Sequence, residues 1–338
     1  MNFYTFIAEF KIPIKTPLIE LDSREVLVVE WKDYEGNTFY GECNAFSTNW
    51  YHYETIQSVQ NILTIWYENN KYNQLDSYDK ASLSLESLND YPNARSVMSM
   101  IFFQKFHELQ EIEVDYGATI SGNLQEYFKS YNGRLPSRIK VKWNDNIKED
   151  MKYLKMNYPE VKRAIDANGV LNTDIIKVLN SFYDENFIYI EQPFKELKQY
   201  KEVTNKLEIP VFIDESATSL EMIQKFRESN VIDGVVIKPS RVGGIDKALE
   251  IIQYCKENQL KVVIGGMYEF GLSSYFTAYL AQYSDLPSDI TPSDYYFEDD
   301  FVYKSSKLTN QSLLYSPPFV KYNKLKKKLS LRYRKAQT

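Results

Sequence analysis

Five charged residues recur along the chain at nearly one interval: Lys142, Asp166, Glu191, Asp214 and Lys238, spaced 24, 25, 23 and 24 residues apart. A lysine, three carboxylates and a lysine, brought together, can act on an acidic carbon. Converging carboxylates repel and raise one another's pKa unless a cation lies between them. Oxygen-only ligands favour a hard ion, Mg²⁺ with Mn²⁺ as a substitute, over zinc. A carboxylate substrate beside such an ion has its α-proton acidified, and a lysine near that carbon can take the proton. Cations around that lysine are expected to lower its pKa. For any one of the five residues, a solvated or paired strand end is the plainer reading. The unbroken succession argues for a site.

Each interval is the length of one strand, loop, helix and loop. Short apolar strand candidates begin at Val114, Arg138, Arg163, Phe187, Ile209, Gly234 and Lys261, and an eighth lies near Asp289-Ile290. Helical patterns such as Ile245, Leu249 and Ile252 separate them. This alternation predicts βαβ units and a closed parallel barrel. All five charged residues then share the rim at the C-terminal strand ends, where barrel active sites form. Lys140 and Lys142 flank Val141, so they share a face, the barrel interior. An open doubly wound sheet is disfavoured because no strand is followed by Gly-x-Gly-x-x-Gly. Before the barrel, the alternating segment 1–15 reads as a strand. The run Val26 to Trp31 folds back through Asp33–Asn37 into Thr38–Cys43, and Ala94, Val97, Met98 and Ile101 follow a helical spacing. The expected organisation is an α+β domain over 1–110, an α/β barrel over 111–300, and a segment 301–338 returning to the first domain.

Composition narrows the remaining possibilities. The 338 residues suffice for two cores, and 43% apolar with 25% charged residues is ordinary globular composition. No apolar run is long enough for a membrane span, and the N-terminus lacks the order of a signal peptide, so a cytoplasmic location and no membrane partner are expected. Two cysteines, Cys43 and Cys255, exclude a disulfide framework. His52 and His107 are the only histidines and are read as structural, leaving carboxylates and lysines to carry any catalysis. A net charge of −6 disfavours nucleic acid. The basic stretch Lys321 to Lys335 is read as a solvated tail; the rival, a binding role on an acidic surface, predicts salt-dependent association and no metal requirement. A small carboxylate is the expected partner, and a homo-oligomer is compatible with the sequence.

The motifs Lys140-Val-Lys142, Asp166-Ala-Asn168, Glu191-Gln-Pro193, Asp214-Glu-Ser216, Lys238-Pro239 and Gly265-Gly-Met-Tyr-Glu269 resemble those of the enolase superfamily in its muconate-lactonizing branch. Asn49-Trp-Tyr51 before Glu54-Thr55, and Ser288 to Ser293, are similar to the o-succinylbenzoate synthase family related to N-acylamino-acid racemases. The resemblance implies a capping domain on a modified TIM barrel, (β/α)₇β. It also implies metal-dependent syn dehydration of 2-succinyl-6-hydroxy-2,4-cyclohexadiene-1-carboxylate to o-succinylbenzoate in menaquinone synthesis. On this resemblance Asp166, Glu191 and Asp214 match the metal ligands. Lys142 matches the base that later returns its proton to the departing hydroxyl, and Lys238 the lysine on the opposite face. One departure is Phe270 before Gly271, where many relatives carry threonine. The rival reading, N-acylamino-acid racemase or dipeptide epimerase, uses the same lysines as acid and base on both faces.

Supporting positions follow. Lys140 assists Lys142, contacts the substrate carboxylate, or sits in a structural ion pair. Glu215 holds a lysine or metal ligand, or is a plain loop carboxylate. Asn168, Gly266 and Met267 are candidates for substrate contact or support. Arg241, three residues past Lys238, is able to depress its pKa, although a surface arginine is the preferred reading. Trp50 and Tyr51 either shape an aromatic pocket or pack. Loops Pro17–Asp22 and Phe46–Tyr53 stand where the family closes its cap.

Overall fold

A computed structural model describes residues 1–15, 19–120, 124–130, 135–304, 306–309 and 311–328. The chain opens with an antiparallel meander of β1 (Asn2–Lys15), β2 (Glu20–Lys32) and β3 (Thr38–Cys43). In β1, Tyr4, Phe6, Ala8 and Phe10 are buried at every second position, the period of a half-buried strand. The Asp33 carboxylate accepts the Glu35 and Asn37 amides, and Gly36 takes a φ of 88°, which closes the turn between β2 and β3. Helices α1 (Ile56–Asn70), α2 (Tyr78–Ser84) and α3 (Pro92–Phe106) cover one face of this sheet. Ala94, Val97, Met98 and Ile101 of α3 are fully buried, as their spacing predicts. Tyr91 offers no cap to α3, and the Glu54 carboxylate accepts the Asn93 and Ala94 amides instead.

The barrel is a seven-stranded parallel sheet ordered β5 (Gly117–Ile120), β6 (Arg138–Lys142), β7 (Lys162–Asp166), β8 (Phe187–Glu191), β9 (Val211–Ile213), β10 (Gly234–Ile237) and β11 (Lys261–Ile264). Helices α4 (Leu124–Ser130), α5 (Ile147–Asn157), α6 (Ile176–Asn180), α7 (Leu197–Val203), α8 (Leu220–Glu228), α9 (Pro239–Val242) with α10 (Ile245–Glu257), and α11 (Gly271–Ala281) follow successive strands. Two parallel bridges, Gly265 to Asp289 and Tyr116 to Ser288, insert the segment 288–289 between β11 and the approach to β5 and close the curled sheet. This is the expected modified TIM barrel. The interior holds a buried layer of Ala164, Tyr189, Phe212, Val236 and Val263, one residue from each of β7 to β11. Tyr189 and Phe212 stack at 4.4 Å.

Two expectations change. The strand expected from Val114 is two strands in different sheets. β4 (Ile112–Asp115) pairs antiparallel with β13 (Ser312–Tyr315), which also pairs with β12 (Ser306–Leu308), while β5 joins the barrel. The proposed cap loop from Pro17 to Asp22 has Pro17 and Leu18 outside the described residues, and Glu20–Asp22 already belong to β2. A last strand, β14 (Lys326–Lys327), pairs with Tyr4 and Thr5 of β1. The basic stretch beyond residue 328 lies outside the described residues. No described helix is long and apolar enough to cross a membrane.

Candidate active site

Side chains two residues apart on a strand point the same way. Adding two to each member of the buried barrel layer gives Asp166, Glu191, Asp214, Lys238 and Gly265. On β6, Lys140 is in register with Ala164 and Lys142 with Asp166, so Lys142 enters the upper layer. The sheet thus assembles Lys142, Asp166, Glu191, Asp214 and Lys238 into one tier at the C-terminal strand ends. Glycine at 265 leaves room for Lys238, whose Cε would lie 3.2 Å from any Cβ there.

The loops leaving these strands are strained. Asn168, Gln192 and Tyr268 adopt φ of 44°, 40° and 48°, each about 1–3 kcal/mol above an ordinary conformation. Side-chain bonds hold two of them. Asn168 Nδ2 donates to Glu215 Oε1 at 3.0 Å. Gln192 Oε1 accepts the Asp214 and Ser216 amides at 2.9 and 3.1 Å, tying the end of β8 to the Asp214 end of β9.

The charges are closely paired. Lys140 is buried and donates to Glu191 Oε2 and Asp289 Oδ2, both at 2.6 Å, so of its three readings the structure displays the ion pair. Asp214 accepts Lys238 Nζ at 2.6 Å and Arg241 Nη1 at 2.6 Å. Burial opposes its charge, but these two cations hold its carboxyl well below the usual range. Arg241 is therefore no surface residue. The single turn of α9 carries it back over the β9 end, where it is buried and also donates to the Tyr51 hydroxyl. The lowered pKa expected for Lys238 is reversed as well: burial pulls it down, and Arg241 adds to that, but Asp214, Tyr51 and Glu215 together push it up. Among the described residues, Lys142 has no ion pair, and its backbone carbonyl accepts Asn144 Nδ2 at 3.0 Å.

Whether these residues fit a divalent cation is a question of donor chemistry. Among the described residues no three acidic, cysteine or histidine side chains form a ready cluster, and Lys140 holds Glu191 while Lys238 and Arg241 hold Asp214. The donor set still fits. Burial raises Glu191 well above the carboxylate range despite Lys140, and Asp166 and Asp214 add to that. Glu215, raised by burial and then by Asp214, keeps a buried Oε2 with no hydrogen-bond partner. Among the described residues the Asp166 carboxylate accepts only the Asn168 amide, at 3.2 Å. Such a surplus of buried carboxylate oxygen is what a hard cation satisfies.

Beside Lys238 lies a cavity of about 200 Å³ between cap and barrel, lined by Asn44, Phe46, Tyr51, Thr218 and Met267 among others. Met267 is thus at the site. Gly266 backs onto the Glu269 carboxylate instead, whose Oε2 would be 2.7 Å from any Cβ. Trp50 packs against Phe46 at 4.8 Å. His52 approaches Asn93 and Glu54, and His107 stacks on Phe103. Sequence reasoning missed Asp289 as a charge partner, although it lies 24 residues past Gly265 and so extends the same interval. It also misplaced Arg241, for which one helical turn beyond Lys238 was the available signal.

The family model for enolase C-terminal domain-like proteins matches residues 125–313. An o-succinylbenzoate synthase from Bacillus subtilis (strain 168) is 27% identical over 334 residues, covering 92% of this chain and 89% of its own. Among solved structures, an enolase-superfamily member from Listeria innocua Clip11262 superposes with a TM-score of 0.82 at 21% identity, covering 94% of this chain and 92% of that one. A dipeptide epimerase from Enterococcus faecalis V583, complexed with Mg and the dipeptide L-Leu-L-Tyr, gives 0.78 at 19% identity and covers 96% and 100%. These structural likenesses are likenesses of fold.

Proposed function

This chain belongs to the enolase C-terminal domain-like family, and from that premise we propose that it is a metal-dependent hydro-lyase that forms o-succinylbenzoate from 2-succinyl-6-hydroxy-2,4-cyclohexadiene-1-carboxylate. The observation that carries the reading is the single tier of Lys142, Asp166, Glu191, Asp214 and Lys238, supported by the 27% identity to an o-succinylbenzoate synthase over nearly the whole chain. In this reading Asp166, Glu191 and Asp214 hold Mg²⁺. When bound, the ion supplies positive charge beside the substrate carboxylate and so acidifies the α-proton. Lys142 takes that proton and returns it to the departing hydroxyl, since syn elimination puts both events on one face. The C–H and C–O bonds break, the ring becomes aromatic and water leaves. Lys238, across the row of carboxylates, offsets the negative charge that develops on the substrate. In this reading 1–110 is the cap and 111–300 the barrel; after residue 300, Ser306–Leu308 and Ser312–Tyr315 join β4, and Lys326–Lys327 return to β1 of the cap.

Lysines at both ends of the carboxylate row also suit a racemase or epimerase, in which each exchanges a proton with one face. Side-by-side turnover of the cyclohexadiene substrate and of N-succinyl amino acids decides between them. Chelation should abolish either activity and Mg²⁺ or Mn²⁺ restore it. Full dehydration by metal-stripped protein would refute the metal, and racemization without dehydration would refute the hydro-lyase.

A further inference from the structure

Asp289 takes no part in the chemistry just described, yet it stands at the centre of a buried charge chain. Its carboxylate accepts Lys140 Nζ at 2.6 Å on Oδ2, and Thr119 Oγ1 at 3.2 Å together with the Arg138 guanidinium on Oδ1. Arg138 is fully buried, and its other arm donates to the Tyr189 hydroxyl. Lys140 continues the chain to Glu191 Oε2 at 2.6 Å. From Arg138 through Asp289 and Lys140 to Glu191 the charges alternate.

We propose that Asp289 is a positioning residue that keeps Glu191 open to a divalent cation by sharing the Lys140 ammonium, an inference that rests on the metal-site reading above. Without the Asp289 charge, Lys140 has Glu191 as its one carboxylate partner among the described residues and binds it more tightly. The buried Arg138 charge is then uncompensated nearby. Both effects oppose a cation at Glu191, and buried charges are poorly screened by salt. Neutralising Arg138 does the reverse: among the described residues Asp289 then has Lys140 as its one cationic partner, beside the Thr119 hydroxyl, and draws the ammonium from Glu191. A purely structural brace predicts no such opposition of sign, since either loss would damage it alike.

The test is calorimetric titration of Mg²⁺ into the full-length protein without substrate, with circular dichroism and thermal melting as folding controls. Asp289→Asn should bind Mg²⁺ about tenfold more weakly or worse. Asp289→Glu, which keeps the charge, should stay close to wild type, and Arg138→Gln should bind no more weakly than wild type. An Asp289→Asn protein that is folded and binds like wild type overturns the proposal, as does an Arg138→Gln protein weakened to the same degree. If Asp289→Asn does not fold, Arg138→Gln and Asp289→Glu decide: weakening of either overturns the proposal, and wild-type binding by both supports it. Failure of the wild type itself to bind Mg²⁺ overturns the metal-site reading, a result distinct from wild-type binding that Asp289→Asn leaves unchanged.

Discussion

Lys142 and Lys238 share one tier of the barrel but differ in their partners. Lys238 donates to Asp214 at 2.6 Å, whereas the ammonium of Lys142 has no ion pair among the described residues. A side chain already committed to a carboxylate serves as fixed charge more readily than as a proton acceptor. Lys142→Ala should therefore lower kcat for dehydration by about 10²–10⁴, with the circular dichroism spectrum and Tm unchanged. Lys238→Arg keeps the charge and removes an accessible base, so it should spare dehydration more than racemization in paired assays. Near-wild-type dehydration by folded, metal-loaded Lys142→Ala would remove that residue from the role of base.

At the scale of elements, the barrel's weakest seam lies between β11 and β5, where the segment 288–289 is joined by single bridges rather than a ladder. Gly117 makes that seam possible. A Cβ there would collide with the Ser288 carbonyl and lie 2.6 Å from the Arg138 guanidinium. Gly117→Ala should cost about 1–3 kcal/mol in urea unfolding, the usual penalty of overpacking. An unchanged midpoint would mean that the seam is looser than its contacts imply. The same seam shows what sequence does and does not carry. The 23–25 residue interval and the strand period of two were legible, because both are local repeats, and together they put five charged residues on one tier. The pairing of Asp289 with Arg138 and Lys140 was not, because it arises only when the sheet curls and its first and last strands meet. Arg241 was misread for a related reason. Its burial depends on a one-turn helix ending at Gly243, with φ of 102°, that folds it back over Asp214. The split of Val114–Ile120 into two sheets was equally invisible, since β13, the antiparallel partner of its first part, lies nearly two hundred residues away.

The cap and barrel meet through buried polar groups as well as apolar ones. Glu42 of β3 accepts the Phe270 and Ser273 amides at 2.9 Å each, capping α11 from the other domain. Arg24 of β2 donates to the Asn44 and Ala45 carbonyls, and Asn44 Nδ2 reaches Glu269 Oε1 at 3.2 Å. Glu269 also accepts the Thr277 hydroxyl at 3.0 Å. Burial pushes its carboxyl from 4.5 up to about 7, against the pull of Thr277, the Met267 backbone, Arg24 and Lys238. The folded protein therefore keeps a proton on Glu269 between pH 4.5 and 7 that the unfolded chain releases. The native state binds more protons in that window, so this group's contribution to stability falls as pH rises through it and levels off above 7. A shift of that size corresponds to a penalty of about 3 kcal/mol at most for the ionised group at pH 8. Glu269→Gln keeps an oxygen for Asn44 and Thr277 but cannot ionise. It should raise Tm over wild type at pH 8, with the advantage shrinking steadily toward pH 5. A difference in Tm that stays constant from pH 5 to pH 8 would show that the Glu269 proton is not held at the cap–barrel junction.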